Sequence, residues 1–125
     1  MKRAFILIVV IFSAIAICIS CKQYHHGDIN ITISESGNMF SMTSHFNEEK
    51  THDVLAFMDR RLGNANHFSF VNSKLDATLT LEDQTNMYVK TKQGYVEIKM
   101  DKSKNSYENY KRVKNMCEGI KEVIK

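Results

Sequence analysis

A chain of 125 residues, 43% apolar and 25% charged, has room for one domain and not two. Its formal net charge of +3 includes Lys2 and Arg3, and without that pair 15 basic side chains face 14 acidic ones. So even a balance gives no electrostatic case for nucleic acid as a partner. The charge is unevenly spread, with 5 basic against 9 acidic residues over 22–85 and 10 against 5 over 86–125. Interspersed lysines on amphipathic elements account for the basic half as solvated surface.

The N-terminus carries the most specific signal. Lys2 and Arg3 precede an apolar run over residues 4–19 broken only by Ser13. A spanning helix needs about 20 apolar residues, so this shorter run behind a basic start reads as an export signal. The run ends Cys18-Ile19-Ser20-Cys21, which resembles the lipobox of bacterial lipoproteins: a small residue, Ser20, stands before a cysteine. Cys18 departs from that pattern, where Leu is usual. The resemblance covers residues 1–21 only. It implies a signal peptide over 1–20, cleavage before Cys21, and palmitate-type chains on the Cys21 thiol as a lipid anchor in the cell envelope. Lys22, where an Asp would retain the protein at the inner membrane, implies the outer membrane, on its periplasmic side. An uncleaved anchor and ordinary cleavage with release are the alternatives. Residues 21–27 then read as a short lipidated tether, reaching ~20 Å when extended.

Residues 28–125 are expected to form the domain. Ile29, Ile31 and Ile33 alternate with Asn30, Thr32 and Ser34, which predicts a strand over 28–34. A turn at 35–38 leads to a second strand over 39–46, with Phe40, Met42 and Phe46 on one face. Asn47 is placed to cap a helix whose stripe is Thr51, Val54, Leu55, Met58 and Leu62, stopped at Gly63. Residues 68–71 read as a short strand or an irregular lead-in. Three further strands, over 74–81, 86–91 and 95–100, have connections too short for parallel crossovers. Asn105 with Glu108 has capping-box spacing for a last helix reaching Val123. Its stripe is Tyr110, Val113, Cys117, Ile120 and Ile124. The expected fold is α+β, order ββαβββα: an antiparallel sheet of about five strands with both helices on one face.

The chemistry-bearing residues form no motif. His25, His26, His45, His52 and His67 show no zinc-ligand spacing, so no metal or cofactor is assigned to them. Cys117 lies on an apolar helix stripe, where cysteine behaves as a small hydrophobe. Tyr88 and Tyr95, with Lys90 and Lys99, fall on or near the outward sheet face, where the β-propensity of tyrosine accounts for them. Asp53 with Asp59, and Glu82 with Asp83, are carboxylate pairs by sequence only. The expectation is therefore a non-enzymatic binding or interaction module held at a membrane, with an envelope protein as a partner. The rival is a small enzyme or metal or ligand sensor using the histidines and Cys117, which requires them to converge on one pocket.

Overall fold

The computed structural model describes residues 21–26, 29–63 and 66–125; the expected signal peptide, residues 1–20, lies outside them, as do 27, 28, 64 and 65. Six strands are present: β1 (Cys21–His26), β2 (Ile29–Ser36), β3 (Met39–His45), β4 (Asp76–Thr80), β5 (Asn86–Lys92) and β6 (Tyr95–Asp101). Two α-helices follow the expected positions, α1 (Thr51–Met58) and α2 (Tyr107–Val123). Strands β2 to β6 form the expected antiparallel sheet in the spatial order β2-β3-β6-β5-β4. The order of elements from β2 onward is the expected ββαβββα.

The alternation in the sequence decides which face is inside. Ile31, Ile33, Phe40, Met42, Met87, Val89, Val96, Ile98 and Met100 join one buried cluster with Val54, Leu55 and Met58 of α1 and Val113, Met116, Cys117 and Ile120 of α2. Both helices therefore cover the same face. The intervening residues Thr32, Thr43, Lys90 and Glu97 stay partly exposed on the other. No helix among the described residues is long and apolar enough to cross a membrane.

Residues 21–26, expected as a tether, form β1 at the edge of the sheet. They pair antiparallel with β2 from Cys21 beside Ser34 to His26 beside Ile29. A backbone ladder makes this strand, and it needs no apolar alternation in the sequence.

Other departures have local causes. The first helix opens with a 3₁₀ turn, Glu48–Lys50, where the Asn47 side chain accepts from the Glu49 N–H. It closes with a π-helical turn, Asp59–Gly63, and every expected stripe residue is buried. The strand expected over 74–81 shortens to β4. At this outer edge Ala77 is exposed, Leu75 and Leu79 are half-buried, and Leu81 is buried. Residues 68–71 are an irregular loop and not a strand. The Asp59 carboxylate accepts from the N–H groups of Phe70 and Val71 and from the Ser69 hydroxyl, doing for this loop what a ladder does for a strand.

The cap of α2 is Ser106, whose hydroxyl accepts from the Asn109 N–H, and not Asn105. Asn105 serves the sheet instead. Its amide accepts from the Asn86 N–H at 2.7 Å and donates to the carbonyls of Asn86 and Asp101. The two-residue β2–β3 turn uses Gly37 at φ +55.

Candidate functional site

A concavity lies where α1 begins, at the end of the sheet that carries the β5–β6 turn. Gly94 shapes it. Its φ of +72 suits the tight turn, and a Cβ there would lie 2.7 Å from the Phe46 carbonyl oxygen. With that space free, Gly94 N–H donates to the Thr51 hydroxyl at 2.9 Å and its carbonyl accepts from Phe46 N–H at 3.0 Å. The turn is thereby fixed against the first residue of α1. Thr91 holds the third wall, since its hydroxyl accepts from Leu75 N–H and its own N–H donates to the Leu75 carbonyl.

The resulting cleft has a volume of about 560 Å³ and is lined by Thr51, Leu55, residues 71–74 and residues 91–93. An adjoining recess of about 240 Å³ shares Thr51, Leu55, Val71 and Gln93 and adds Glu48, Glu49 and His52. The larger volume is within the roughly 300–1,000 Å³ usual for small-molecule sites. Leu55 and Val71 give it an apolar floor. Lys74 and Lys92 stand at one side and Glu48 and Glu49 at the other, all four exposed. Such a site can hold a ligand with an apolar body and charged ends. Its ionisable side chains face solvent.

Among the described residues, His45, His52 and His67 do not converge. His45 is on the open sheet face, its ring 4.9 Å from that of Tyr95. His52 is in the recess. His67 is 3.3 Å from a Glu82 carboxylate oxygen. Among the described residues, no group of three or more His, Cys, Asp or Glu is placed to hold a metal ion. The side chains of His25 and His26 lie outside the described residues.

Cys117 is wholly buried in the core, and burial pushes its thiol far above the usual thiol range. A thiol in that state is a poor nucleophile. Among the described residues Cys117 is a free cysteine. A bulky thiol reagent is expected to leave Cys117 unlabelled in the native protein over minutes and to label it at once in urea; rapid native labelling of Cys117, read by peptide mass, would revive the nucleophile reading.

The open sheet face carries a connected polar network. The Tyr88 hydroxyl donates to Asp76 at 2.5 Å and the Tyr95 hydroxyl to Glu97 at 2.7 Å. The bond to Asp76 pushes the Tyr88 phenol up to about 12; burial, then the bond to Glu97, does the same for Tyr95. Lys99 Nζ lies 5.8 Å from the Tyr88 ring centre and 3.4 Å from Glu97. Tyr88, Tyr95 and Lys99 thus share this face, with Lys99 already engaged. Of the carboxylate pairs, Asp53 is exposed, Asp59 holds the 68–71 loop, and Asp83 pairs with Arg112 at 2.5 Å.

A cluster absent from the sequence reading surrounds Glu35. Tyr110 donates its hydroxyl to this carboxylate, and Lys102 and Lys114 approach it at 3.1 and 3.2 Å. The contributing residues are 67 to 79 positions from Glu35, so no local pattern signals them. No family model, curated protein or solved structure matches the chain.

Proposed function

We propose that this chain is a lipid-anchored cell-envelope protein, held in the outer membrane by a diacylated Cys21, and that its cleft is a ligand-binding site rather than a catalytic one. The lipobox-like ending of the apolar run supports the anchor. The observation that carries the binding reading is the position of the cleft. Cys21 pairs with Ser34, which stands in one cross-sheet row with Ser41, Lys99 and Tyr88. The β5–β6 turn lies beyond Tyr95, roughly 15–20 Å further along the strands at about 3.3 Å per residue. An anchor at Cys21 therefore leaves the cleft on the side away from the bilayer, open to molecules of the periplasm. Two or more acyl chains give durable attachment, because each buried methylene contributes about 0.8 kcal/mol.

The anchor is tested with Cys21→Ser. The parent is expected in the membrane fraction with the mass of an acylated N-terminal cysteine. The variant is expected without acyl mass and released from mature membrane attachment. A parent that is soluble with Cys21 unmodified overturns the anchor.

The cleft is tested by titrating the tripeptide Ala-Leu-Ala into the full lipidated protein in detergent micelles. Its carboxylate suits Lys74 and Lys92, its ammonium suits Glu48 and Glu49, and its leucine suits Leu55 and Val71. Amide signals of residues 71–74 and 91–93 are expected to shift. Amidating the peptide's C-terminus is expected to weaken the effect up to about fivefold, the scale of an exposed ion pair. Unchanged signals at millimolar peptide overturn the assignment.

A further inference from the structure

We infer that the end of the domain bearing Met39 and Tyr107 is seated in the interfacial layer of the lipid bilayer, so that the domain stands end-on with its strands directed away from the membrane. The inference rests on the anchor reading and adds to it a surface and an orientation. Among the described residues, the large apolar side chains left exposed are Met39, at 45%, and Tyr107, at 70%. They come from different elements, yet the fold brings them to one end. Met39 opens β3 directly after the Gly37 turn, paired with Ser36 and Asp101. The Asn38 carbonyl in that turn accepts from Lys102 N–H at 2.7 Å, so the segment leading to α2 returns to the same place. Tyr107 is the first residue of α2, its ring 6.2 Å from that of Tyr110, which bonds Glu35 beside the turn.

Cys21 lies at this end too. Strand β1 begins beside Ser34, two positions from the last residue of β2, and runs away from the turn toward His26 beside Ile29. Because pairing starts at Cys21 itself, no slack separates an acylated residue 21 from the sheet. The lipid chains draw this end, and no other, against the headgroups.

The chemistry of the end fits an interface better than a charged surface. Tyrosine places an apolar ring and a polar hydroxyl at the boundary between headgroups and acyl chains. The Lys111 Nζ lies 5.6 Å from the Tyr107 ring centre, and a lysine stem can follow apolar surface while its ammonium reaches phosphate. The charges otherwise offset one another. Lys102, Lys104, Lys111, Arg112 and Lys114 face Glu35, Glu82, Asp83, Asp101 and Glu108, five basic side chains against five acidic ones, with Lys102 and Lys114 on Glu35 and Arg112 on Asp83. Attraction to anionic lipid is therefore not the source of the orientation. The acyl chains supply the affinity and bring this end to the membrane, and Met39 and Tyr107 are the apolar side chains it presents there.

The absence of tryptophan makes a direct test available. The mature lipidated protein carrying Tyr107→Trp, Met39→Trp or Gln93→Trp is bound to phosphatidylethanolamine–phosphatidylglycerol vesicles with bromine on the acyl chains near the headgroups. All three positions are exposed, so none of the substitutions disturbs the core. Relative to unbrominated vesicles, the residue 107 and 39 probes are expected to lose at least about half their emission, at the shallow depth of interfacial side chains. The residue 93 probe, in the β5–β6 turn, is expected to be unchanged. Flotation with the vesicles but equal quenching at all three positions, or quenching at residue 93 alone, overturns the orientation and leaves the anchor standing. Failure to float overturns both.

Discussion

Replacing Phe70 by alanine is expected to destabilise the domain by about 3–5 kcal/mol, as much as deleting a large aromatic side chain from a regular core. The size of the effect is notable because Phe70 sits in an irregular loop. It is fully buried, and its ring meets that of Phe68 edge-on at 4.9 Å and 71°. The loop cannot draw back to fill the space. Asp59 holds the N–H groups of residues 70 and 71, and Phe68 N–H donates to the Gly63 carbonyl at 3.0 Å. A Cβ on Gly63 would lie 2.4 Å from the Phe68 carbonyl oxygen, so the two segments are already in closest contact. A cavity that cannot collapse costs the transfer free energy of the lost ring and the contacts of the groups left around it. Urea unfolding followed by circular dichroism is expected to show a lower midpoint with an unchanged slope. Leu79→Ala, on half-buried β4, is expected to cost less than about 1.5 kcal/mol by the same logic of area removed from water. If the two variants lose equal stability, Phe70 does not anchor the core.

This loop also marks where sequence patterning stops being informative. Ile29, Ile31 and Ile33, or Val96, Ile98 and Met100, announce both strand and inward face because a half-buried strand must repeat every second residue. The stripes of the helices are legible for the same reason, although Met116, buried beside Cys117, was not in the expected set. Residues 68–71 have no period, since their conformation is set by one carboxylate reaching back across 11 positions to Phe70. Strand β1 was illegible for a different reason: Lys22, Gln23, His25 and His26 offer no apolar alternation, and the strand depends on the ladder of β2. Asn105 and Ser106 are both good caps, and sequence alone cannot show that Asn105 is drawn away by Asn86 and Asp101. The cleft suffers most. Its walls come from the start of α1, the loop before β4 and the β5–β6 turn, and none of the three carries a motif. Its polar lining reads in sequence as ordinary loop composition.

Glu35→Gln is expected to cost about 2 kcal/mol at pH 6 and less than half of that at pH 3. The Tyr110 hydroxyl foremost, with Lys102 and Lys114, holds the Glu35 carboxyl down from 4.5 to about 2. That displacement alone would correspond to ~3 kcal/mol, and solvent access to a side chain 26% exposed reduces it. The sign follows from where the proton binds more readily. The folded-state value lies below the unfolded one, so the ionised carboxylate stabilises the fold fully above about pH 4.5, and the contribution fades as pH falls toward 2. Glutamine retains the shape and one acceptor but not the charge that both lysines face. The parent and variant unfolding curves should therefore converge on acidification, whatever other carboxylates contribute to both. A gap that stays constant or widens between pH 6 and pH 3 would mean that Glu35 acts through packing and not through its charge. The consequence reaches the proposed membrane end, because the same carboxylate joins the β2–β3 turn to α2 and so fixes Met39 relative to Tyr107. A lipid-bound Tyr107→Trp protein that also carries Glu35→Gln should lose part of its difference from the residue 93 probe at neutral pH, without leaving the vesicle.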